Sequence, residues 1–140
     1  MNSFQRIALA AARVLVAVIF LANGFGIIPQ SVPAKDLADH GTPAALVPLA
    51  LLVGRTIQIV AGLALLLGVY PQIAAIVLIA FLIPATLFAH DFWRAVGTLD
   101  YVPQLLQFLK NAAMTGGLLY IAATRNQPSL FPRTSRSDDR

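Results

Sequence analysis

The chain has 140 residues, of which 58% are hydrophobic and only 11% are charged, with a mean hydropathy of +0.75. A soluble domain carries about 25% charged residues, so this composition favours a chain embedded in a bilayer. The formal charge is +4, but the ten basic residues are scattered, which argues against a nucleic-acid-binding surface. The absence of cysteine excludes disulfides and thiolate metal ligands carried by this chain.

Four apolar runs follow one another along the chain, and each approaches the roughly 20 residues that a bilayer-crossing helix needs. Prolines mark the ends of these runs, at Pro29, Pro43, Pro71 and Pro103. We therefore predict an all-α, polytopic membrane protein, with a bundle of four transmembrane helices in one membrane domain, residues 1–125. The predicted spans cover approximately residues 6–28, 44–69, 72–90 and 102–124.

The first run has a second interpretation, as a cleaved secretory signal peptide. Arg6 precedes its apolar core, and the small residues of "LANG" lie near its end. Because Arg13 interrupts the apolar core, we expect the run to be a retained transmembrane helix instead.

The linker after the first run, "PQSVPAKDLADHGTP", has the residues of a short helix. Pro33 suits a first helical turn and Gly41 suits a C-cap. Lys35 and Asp39 then lie one turn apart. We predict that this first loop forms a short interfacial helix. Residues 126–140 are polar and interrupted by proline, and we predict that they form a loose cytoplasmic tail.

The distribution of basic residues predicts the orientation of the chain. Arg6 and Arg13 lie near the start of the first run, and Arg13 is expected to reach toward the nearer membrane face. The fourth run is followed by four more arginines, at Arg125, Arg133, Arg136 and Arg140. The positive-inside rule therefore predicts a multi-pass membrane protein with both termini in the cytoplasm and the aspartate-bearing loops outside. In a bacterium this would be a protein of the inner membrane whose loops face the periplasm.

Arg55 stands inside the second apolar run, with Gln58 three residues later on the same helix face. A charge near the middle of a bilayer costs about 2.5–3.5 kcal/mol on insertion scales, so it needs compensation. The chain has no glutamate, and its aspartates lie outside the four runs. The sequence therefore predicts Asp91 or Asp100, at the outer end, as the counter-ion of Arg55. The alternatives are Asp36 or Asp39 if the first loop folds in, backbone carbonyls, water or a bound anion.

Polar residues of all four runs gather toward this outer end. We predict from them a candidate ligand-binding cluster of Asn23, Arg55, Gln58, His90, Asp91, Lys110 and Asn111. The alternative is that these groups satisfy one another and fix the helix register. Three aromatic residues near the same end either line the site or form an interfacial belt, at Phe92, Trp93 and Tyr101.

The chain shows no catalytic or metal-binding motif, and an independent enzymatic activity is not expected. His40 and His90 both lie near the predicted outer face and are the haem-ligand types present, but two isolated histidines are a weak signal. We therefore predict no catalytic residue and no metal site.

The sequence resembles the DoxX family of small four-helix bacterial membrane proteins over nearly its whole length. The resemblance rests on "ARVLVAVIFLANGFG", "HGTPAALVPLALL", "GLALLLGVYPQIAAIVLIAFLIPATLFAHDFW" and "FLKNAAMTGGLLY". Residues typical of the family are Gly24, Gly62, His90, Phe92, Trp93, Lys110, Asn111, Gly116 and Gly117. Two positions depart from the family pattern, because Ile27 replaces a common lysine and Gln58 replaces a common glutamate.

The resemblance implies a non-catalytic subunit or anchor of a membrane redox system, since one family relative is associated with a membrane thiosulfate:quinone oxidoreductase. It implies quinone as the cofactor of that system, and the lipid bilayer and a membrane or peripheral redox protein as partners. Two alternatives stay open: a binding or transport protein for a small amphiphile or anion, and an assembly factor for another membrane protein. Fold-level likeness alone does not choose among them.

Overall fold

The computed structural model describes residues 2–29 and 31–124, and every regular element within these ranges is helical. Four long helices and one short helix follow in chain order: α1 (Ser3–Gly24), α2 (Ser31–Asp39), α3 (Val47–Leu67), α4 (Pro71–Ala89) and α5 (Tyr101–Ala123). A single 3-10 turn, Phe92–Arg94, lies between α4 and α5. The prediction of an all-α chain is confirmed. The predicted tail, residues 126–140, lies outside the described residues.

The ends of the helices follow from local backbone chemistry. At the start of α1, Asn2 and Gln5 form a reciprocal capping box, in which each side chain accepts a hydrogen bond from the other's backbone N–H. α1 ends at Gly24 rather than at the predicted residue 28, because Gly26 has a φ of 77°. The Ile27 N–H then bonds back to the Ala22 carbonyl at 2.9 Å and closes the helix.

A tight turn joins α3 to α4 and makes the two helices antiparallel. Gly68 ends α3 in the left-handed conformation, with a φ of 72°, and Pro71 opens α4 at the first turn. Between them Tyr70 also has a positive φ, 46°, which is uncommon for a residue with a side chain. The predicted boundary between the second and third apolar runs is therefore a compact hairpin.

The four long helices form a ring rather than a layer. α1 packs against α3, α3 against α4, α4 against α5, and α5 closes more narrowly on α1. Within the described residues, the diagonal pairs have no close backbone contact. All four helices contribute to one core, made of Ala17, Phe20, Ala61, Leu65, Ala74, Ala75, Leu78, Leu82, Leu118 and Ile121.

Two glycines let α1 and α3 approach closely. A Cβ atom on Gly24 would lie 2.7 Å from Ile59 Cγ1, and one on Gly62 would lie 2.9 Å from Leu21 Cδ2. Both distances are shorter than van der Waals contact, so neither position has room for a side chain in this packing. Close approach of this kind is typical of helices that pack in a membrane.

Three of the helical segments are long and apolar enough to cross a membrane: Ser3–Gly24, Val47–Leu67 and Pro71–Arg94. Large apolar side chains such as Leu15, Leu52 and Ile73 are exposed on their outer surfaces, as expected for surfaces that face lipid. α5 forms over the predicted range, but Gln104, Gln107 and Lys110 make it more polar than these three. The fourth membrane crossing and the interfacial position of α2 therefore stay predictions.

The two ends of the bundle differ in structure, and they are called the loop end and the terminal end. The loop end carries the connections between α1 and α3 and between α4 and α5, residues 25–46 and 90–100. The terminal end carries the start of α1, the α3–α4 turn and the end of α5. At the terminal end, Gln72 Nε2 donates to the Thr124 carbonyl at 2.9 Å and ties α4 to the end of α5.

Candidate functional site at the loop end

Arg55 joins α3 to the end of α1. Its Nε donates to the Gly24 carbonyl at 2.9 Å, which is one of the last carbonyls of α1. A cation at a helix C-terminus is favoured by the helix dipole and satisfies a carbonyl that has no partner within its own helix. Gly26 leaves room for the guanidinium, since a Cβ there would lie 3.4 Å from Arg55 Nη2.

Arg55 therefore has a different partner from the expected Asp91 or Asp100. The Asp91 carboxylate contacts His40 Nε2 and Arg94 Nη1, both at 3.2 Å. Asp100 lies at the start of α5 and takes part in none of the ion pairs of the described residues. The expectation of an aspartate counter-ion is wrong because α1 ends early enough for its own carbonyl to reach Arg55.

Gln58 and Asn23 form the second polar contact between α1 and α3. Asn23 Nδ2 donates to Gln58 Oε1 at 2.7 Å, and Gln58 Nε2 donates to the Gly54 carbonyl at 3.2 Å. Gln58 is buried, so these hydrogen bonds offset the cost of removing its amide from water or lipid headgroups. The Gln58 carboxamide is thus used in the pairing of α1 with α3.

Asn111 forms the corresponding contact between α5 and α4. Its Nδ2 donates to Thr86 Oγ1 at 3.0 Å, and the Thr86 hydroxyl donates to the Leu82 carbonyl at 2.7 Å. Both side chains are buried. Sequence reasoning did not single out Thr86, although it is a polar residue one turn before His90 in a largely apolar helix.

His90 ends α4 and reaches α5, where its Nδ1 lies 3.1 Å from Gln104 Oε1. Sequence reasoning also missed Gln104, whose signal is its position one turn into α5. Lys110 is exposed on α5 and has no polar partner within residues 2–29 and 31–124. The predicted cluster is therefore divided into a pair of contacts between α1 and α3, a pair of contacts between α4 and α5, Asp91 with its own partners in the loops, and a separate lysine.

The three predicted aromatic residues come together around Phe92. Its ring lies 5.2 Å from the ring of Trp93 and 6.2 Å from that of Tyr101, in edge-to-face geometry. Phe108, which sequence reasoning did not include, completes the group at 5.1 Å from Phe92. This aromatic group packs the 3-10 turn against α5 and fixes the position of the neighbouring Asp91.

His40 connects the first loop to the second loop. Its Nδ1 lies 2.8 Å from the Asp36 carbonyl, its Nε2 lies 3.2 Å from the Asp91 carboxylate, and its ring contacts Phe88 edge-on. Both nitrogen partners are acceptors, so both hydrogen bonds form only when the ring is doubly protonated. The bond to the Asp36 carbonyl, and then the Asp91 carboxylate, accordingly raise the pKa of His40 above its ordinary value.

Asp36 contributes an acidic group to the same region. Burial raises the pKa of the Asp36 carboxyl, while the nearby positive charges of His90, Lys35 and His40 oppose that rise. Lys35 and Asp39 lie one turn apart on α2, as the sequence predicted, and they form an ion pair. The loop end thus holds titratable groups from α2, the end of α4 and the 3-10 turn within one electrostatic environment.

An apolar groove runs between α3 and α4 near this region. It has a volume of about 390 Å³, opens widely to the outside and is lined by Leu46, Leu49, Ala50, Val53, Gly54, Ile57 and Phe81. α2 packs against both helices that form the groove, α3 and α4. Sequence reasoning missed the groove because it needs the relative placement of two helices.

Comparisons with known proteins show which family and which relatives the chain is similar to. The DoxX family model matches residues 8–91, which is more than half of the chain. The chain is 28% identical over 126 residues to inner membrane protein YqjF of Escherichia coli K12, covering 89% of this chain and 88% of that protein. It is 26% identical over 121 residues to inner membrane protein YphA of the same organism, covering 83% and 81%.

No solved structure gives a significant match. The family match spans α1 to α4 together with the loop that holds His40 and the glycines that bring α1 against α3. The two relatives extend the similarity over most of the chain, and both are inner membrane proteins. This chain belongs to the DoxX family, as its sequence motifs predicted.

Proposed function

We propose that this inner-membrane protein binds a long-tailed amphiphile at the α3–α4 groove and that the amphiphile is a membrane quinone. The chain would then be a non-catalytic subunit or anchor of a quinone-linked redox system. The observation that carries the proposal is the combination of an open apolar groove between α3 and α4 with polar, partly buried groups at the loop end of the bundle. This combination matches a molecule with an apolar tail and a polar head.

The apolar lining of the groove suits the isoprenoid tail of a quinone. The lining is aliphatic and aromatic, and the missing side chain at Gly54 deepens the groove, since a Cβ there would lie 3.3 Å from Phe81 Cε2. In a bilayer, an apolar groove open to the surroundings is filled by a hydrocarbon chain. An isoprenoid tail lying along the α3–α4 seam would bury its surface against these side chains.

The loop end suits the head. Quinone oxygens accept hydrogen bonds, and the side chains with N–H groups at the loop end include His40, His90 and Arg94. Arg55 follows Gly54 in α3, and its two Nη atoms have no hydrogen-bond partner within the described residues. We expect one or more of these groups to donate to a quinone oxygen while the apolar tail lies in the groove.

The proposed topology places both chain termini in the cytoplasm and the loop end outside. α5 crosses the membrane with the other long helices in this proposal, because its Leu118 and Ile121 share their core. Lys110 then extends its side chain back toward the start of α5, and so toward the outer headgroups. The positive charges around the first and last spans support this orientation.

The test is a pair of glycine substitutions. Gly54→Leu fills the groove, whereas Gly116→Leu adds the same side chain on α5 where a Cβ would meet nothing within 4 Å. We expect Gly54→Leu to lower the quinone that copurifies with the protein by about tenfold, measured by solvent extraction and chromatography. Equal quinone content in the two variants would remove the groove as the site.

The redox role needs a separate measurement. In membranes, loss of the chain should lower quinone reduction per molecule of the copurifying redox enzyme, and Gly54→Leu should reproduce the effect. A short-chain ubiquinone analogue serves as the electron acceptor. An unchanged turnover per molecule would contradict the subunit role and leave only the binding of the amphiphile.

An assembly factor is the second candidate, supported by the outer face of α5. Gly116 is open, and Ala112 and Ala113 are exposed beside it, so a helix of another protein has space to approach closely. In this case deletion of the chain lowers the abundance of the partner, while its turnover per molecule stays the same. Gly116→Leu, rather than Gly54→Leu, should then reproduce the deletion.

A further inference from the structure

Arg13 is a buried cation whose side chain lacks the partners that such burial requires. It lies on the inner face of α1, and only 2% of its surface is exposed. Its Nε and Nη1 atoms are buried and have no hydrogen-bond partner within the described residues. Buried polar groups are almost always hydrogen-bonded, and a buried charge without a partner is strongly destabilising.

The acidic residues of the described chain lie at the other end of the bundle. The sequence contains no glutamate, and the aspartates within residues 2–29 and 31–124 are Asp36, Asp39, Asp91 and Asp100. All four belong to α2 or to the loop between α4 and α5. Compensation of the Arg13 charge therefore has to come from outside this part of the chain.

The helix register places Arg13 near the terminal end. Gly24 lies against Arg55 and Ile59, and Gly62 lies against Leu21, so each step back along α1 is a step forward along α3. Continuing this antiparallel register brings Arg13 level with the end of α3. Gly117 of α5 lies against Val16 of α1. The same reasoning therefore places Arg13 level with the last turns of α5.

The first two turns of α1 lead from the surface to Arg13. Residues 3–8 are exposed, and Leu9 is the first buried residue of the helix. Arg6 is exposed and precedes Arg13 by seven residues, which is two helical turns, so it lies on the same face about 10 Å away along the axis. An anion that approaches along this face meets Arg6 first and Arg13 second.

We propose that Arg13 is an anion-binding residue of the terminal end and that its ligand is a phosphate group. A guanidinium offers planar pairs of N–H donors that match two oxygens of one phosphate. In Arg13, Nε and Nη2 form one such pair of donors, and Nη1 and Nη2 form the other. The phosphate comes either from a lipid headgroup at this membrane face or from a free phosphate.

The terminal end favours the phosphate class for two reasons. The approach carries positive charge, which raises the local concentration of anions. Arg13 also lies level with the terminal end of the bundle, where phosphate headgroups are abundant under the proposed topology. This site lies at the opposite end from the α3–α4 groove, so the two proposals succeed or fail separately.

The experiment compares the full chain with Arg13→Met in nanodiscs of phosphatidylcholine, with and without phosphatidylglycerol. Native mass spectrometry counts retained phosphatidylglycerol, and thermal unfolding measures the effect of the lipid on Tm. Lys35→Gln is the matched control, because it removes one positive charge from the exposed α2 at the loop end. Arg13→Lys keeps the charge but loses the planar pair of donors.

We expect phosphatidylglycerol to raise the Tm of the wild-type chain and of Lys35→Gln but not that of Arg13→Met. Retention of phosphatidylglycerol should be about tenfold lower in Arg13→Met than in the wild type, and Arg13→Lys should retain an intermediate amount. Without anionic lipid, Arg13→Met should unfold at the same Tm as the wild type or higher, because it removes an unpaired buried charge. That comparison also shows that the variant folds.

A second arm titrates inorganic phosphate into the phosphatidylcholine nanodiscs. If inorganic phosphate raises the Tm in a way that depends on Arg13, and phosphatidylglycerol does not, the phosphate bound by Arg13 is free phosphate. This outcome still supports Arg13 as a phosphate-binding residue. An equal response of the wild type and Arg13→Met to both additions overturns the proposal. No response of the wild type to either addition overturns it as well.

Discussion

The Asn23 side-chain amide donates to the Gln58 carbonyl oxygen at 2.7 Å and joins α1 to α3 through two buried or half-buried carboxamides. The second hydrogen bond of Gln58, to the Gly54 carbonyl, fixes the orientation of its amide. Because α1 and α3 are not consecutive helices, this contact specifies a pairing that chain connectivity leaves open. Its strength can be measured directly.

Substitution of Gln58 by Leu should destabilise the bundle by about 1–3 kcal/mol, because it removes the acceptor of Asn23. In a double-mutant cycle with Asn23→Leu, we expect a coupling energy of about 0.6 kcal/mol, and up to about 1.7 kcal/mol. The measurement is reversible unfolding in mixed detergent. Gln107→Leu, a similar change on the exposed face of α5, is the control. A coupling energy of zero would mean that the contact does not hold the helices together.

The hydrogen bond between Asn111 and Thr86 should stabilise the pairing of α5 with α4 in a similar way. Thr86→Val leaves the buried Asn111 amide without its acceptor, at a cost of about 1–3 kcal/mol. The double variant Thr86→Val, Asn111→Leu should cost less than the sum of the single substitutions, since no unpaired donor remains. Thermal unfolding of the four proteins tests this, and simple additivity would contradict the buried hydrogen bond.

His40 makes the stability of the loop end depend on pH. Its pKa is raised in the folded protein, so its contribution is fully present below the ordinary histidine pKa of about 6.5. The contribution is lost as the pH rises through the folded-state value, because the neutral ring cannot donate to both the Asp36 carbonyl and the Asp91 carboxylate. We expect α2 to detach more readily at alkaline pH.

The fluorescence of Trp93, the only tryptophan of the chain, reports on this change. Trp93 lies two residues after Asp91, so release of His40 from Asp91 should alter its emission. The titration should disappear in His40→Gln and persist in His90→Gln. Asp36 also lies near this contact, and a transition that survives in His40→Gln would assign it to Asp36 instead.

Glycine substitutions should separate helix packing from helix propensity. Gly24→Ala places a Cβ 2.7 Å from Ile59 Cγ1 and 3.3 Å from the Ile59 backbone nitrogen, so it should destabilise by about 1–3 kcal/mol. Gly116→Ala meets nothing within 4 Å and should stabilise the chain by about 0.5–1 kcal/mol, through better helix propensity. Thermal unfolding measures both. Equal effects of the same sign would contradict the close α1–α3 approach.

The sequence predicted the four long helices well, because each is an apolar run with proline at its borders. It did not predict the end of α1, which depends on the left-handed conformation of Gly26 and hence on local backbone geometry. The early end of α1 changes the partner of Arg55 from an aspartate to the Gly24 carbonyl. One small error in a helix boundary thus altered the electrostatics of the predicted site.

The candidate cluster shows the same limit. The sequence predicts polar residues toward one end of the bundle, but which of them meet depends on the order of helices around the ring. Thr86 and Gln104 are the partners of Asn111 and His90, and neither carries a charge that would have drawn attention in the sequence. The α3–α4 groove depends on two helices at once, and no periodicity within one of them indicates it.

The pairing of α1 with α3 has a consequence for biosynthesis. α1 leaves the ribosome first, but the helix that packs most closely against it follows only after residues 25–46. Until α3 enters the membrane, the face of α1 that carries Arg13 and Gly24 has no helix to pack against. We therefore expect a chain interrupted before α3 to be held at the insertion machinery or degraded, and completion of α3 to be the step that commits α1 to the bilayer.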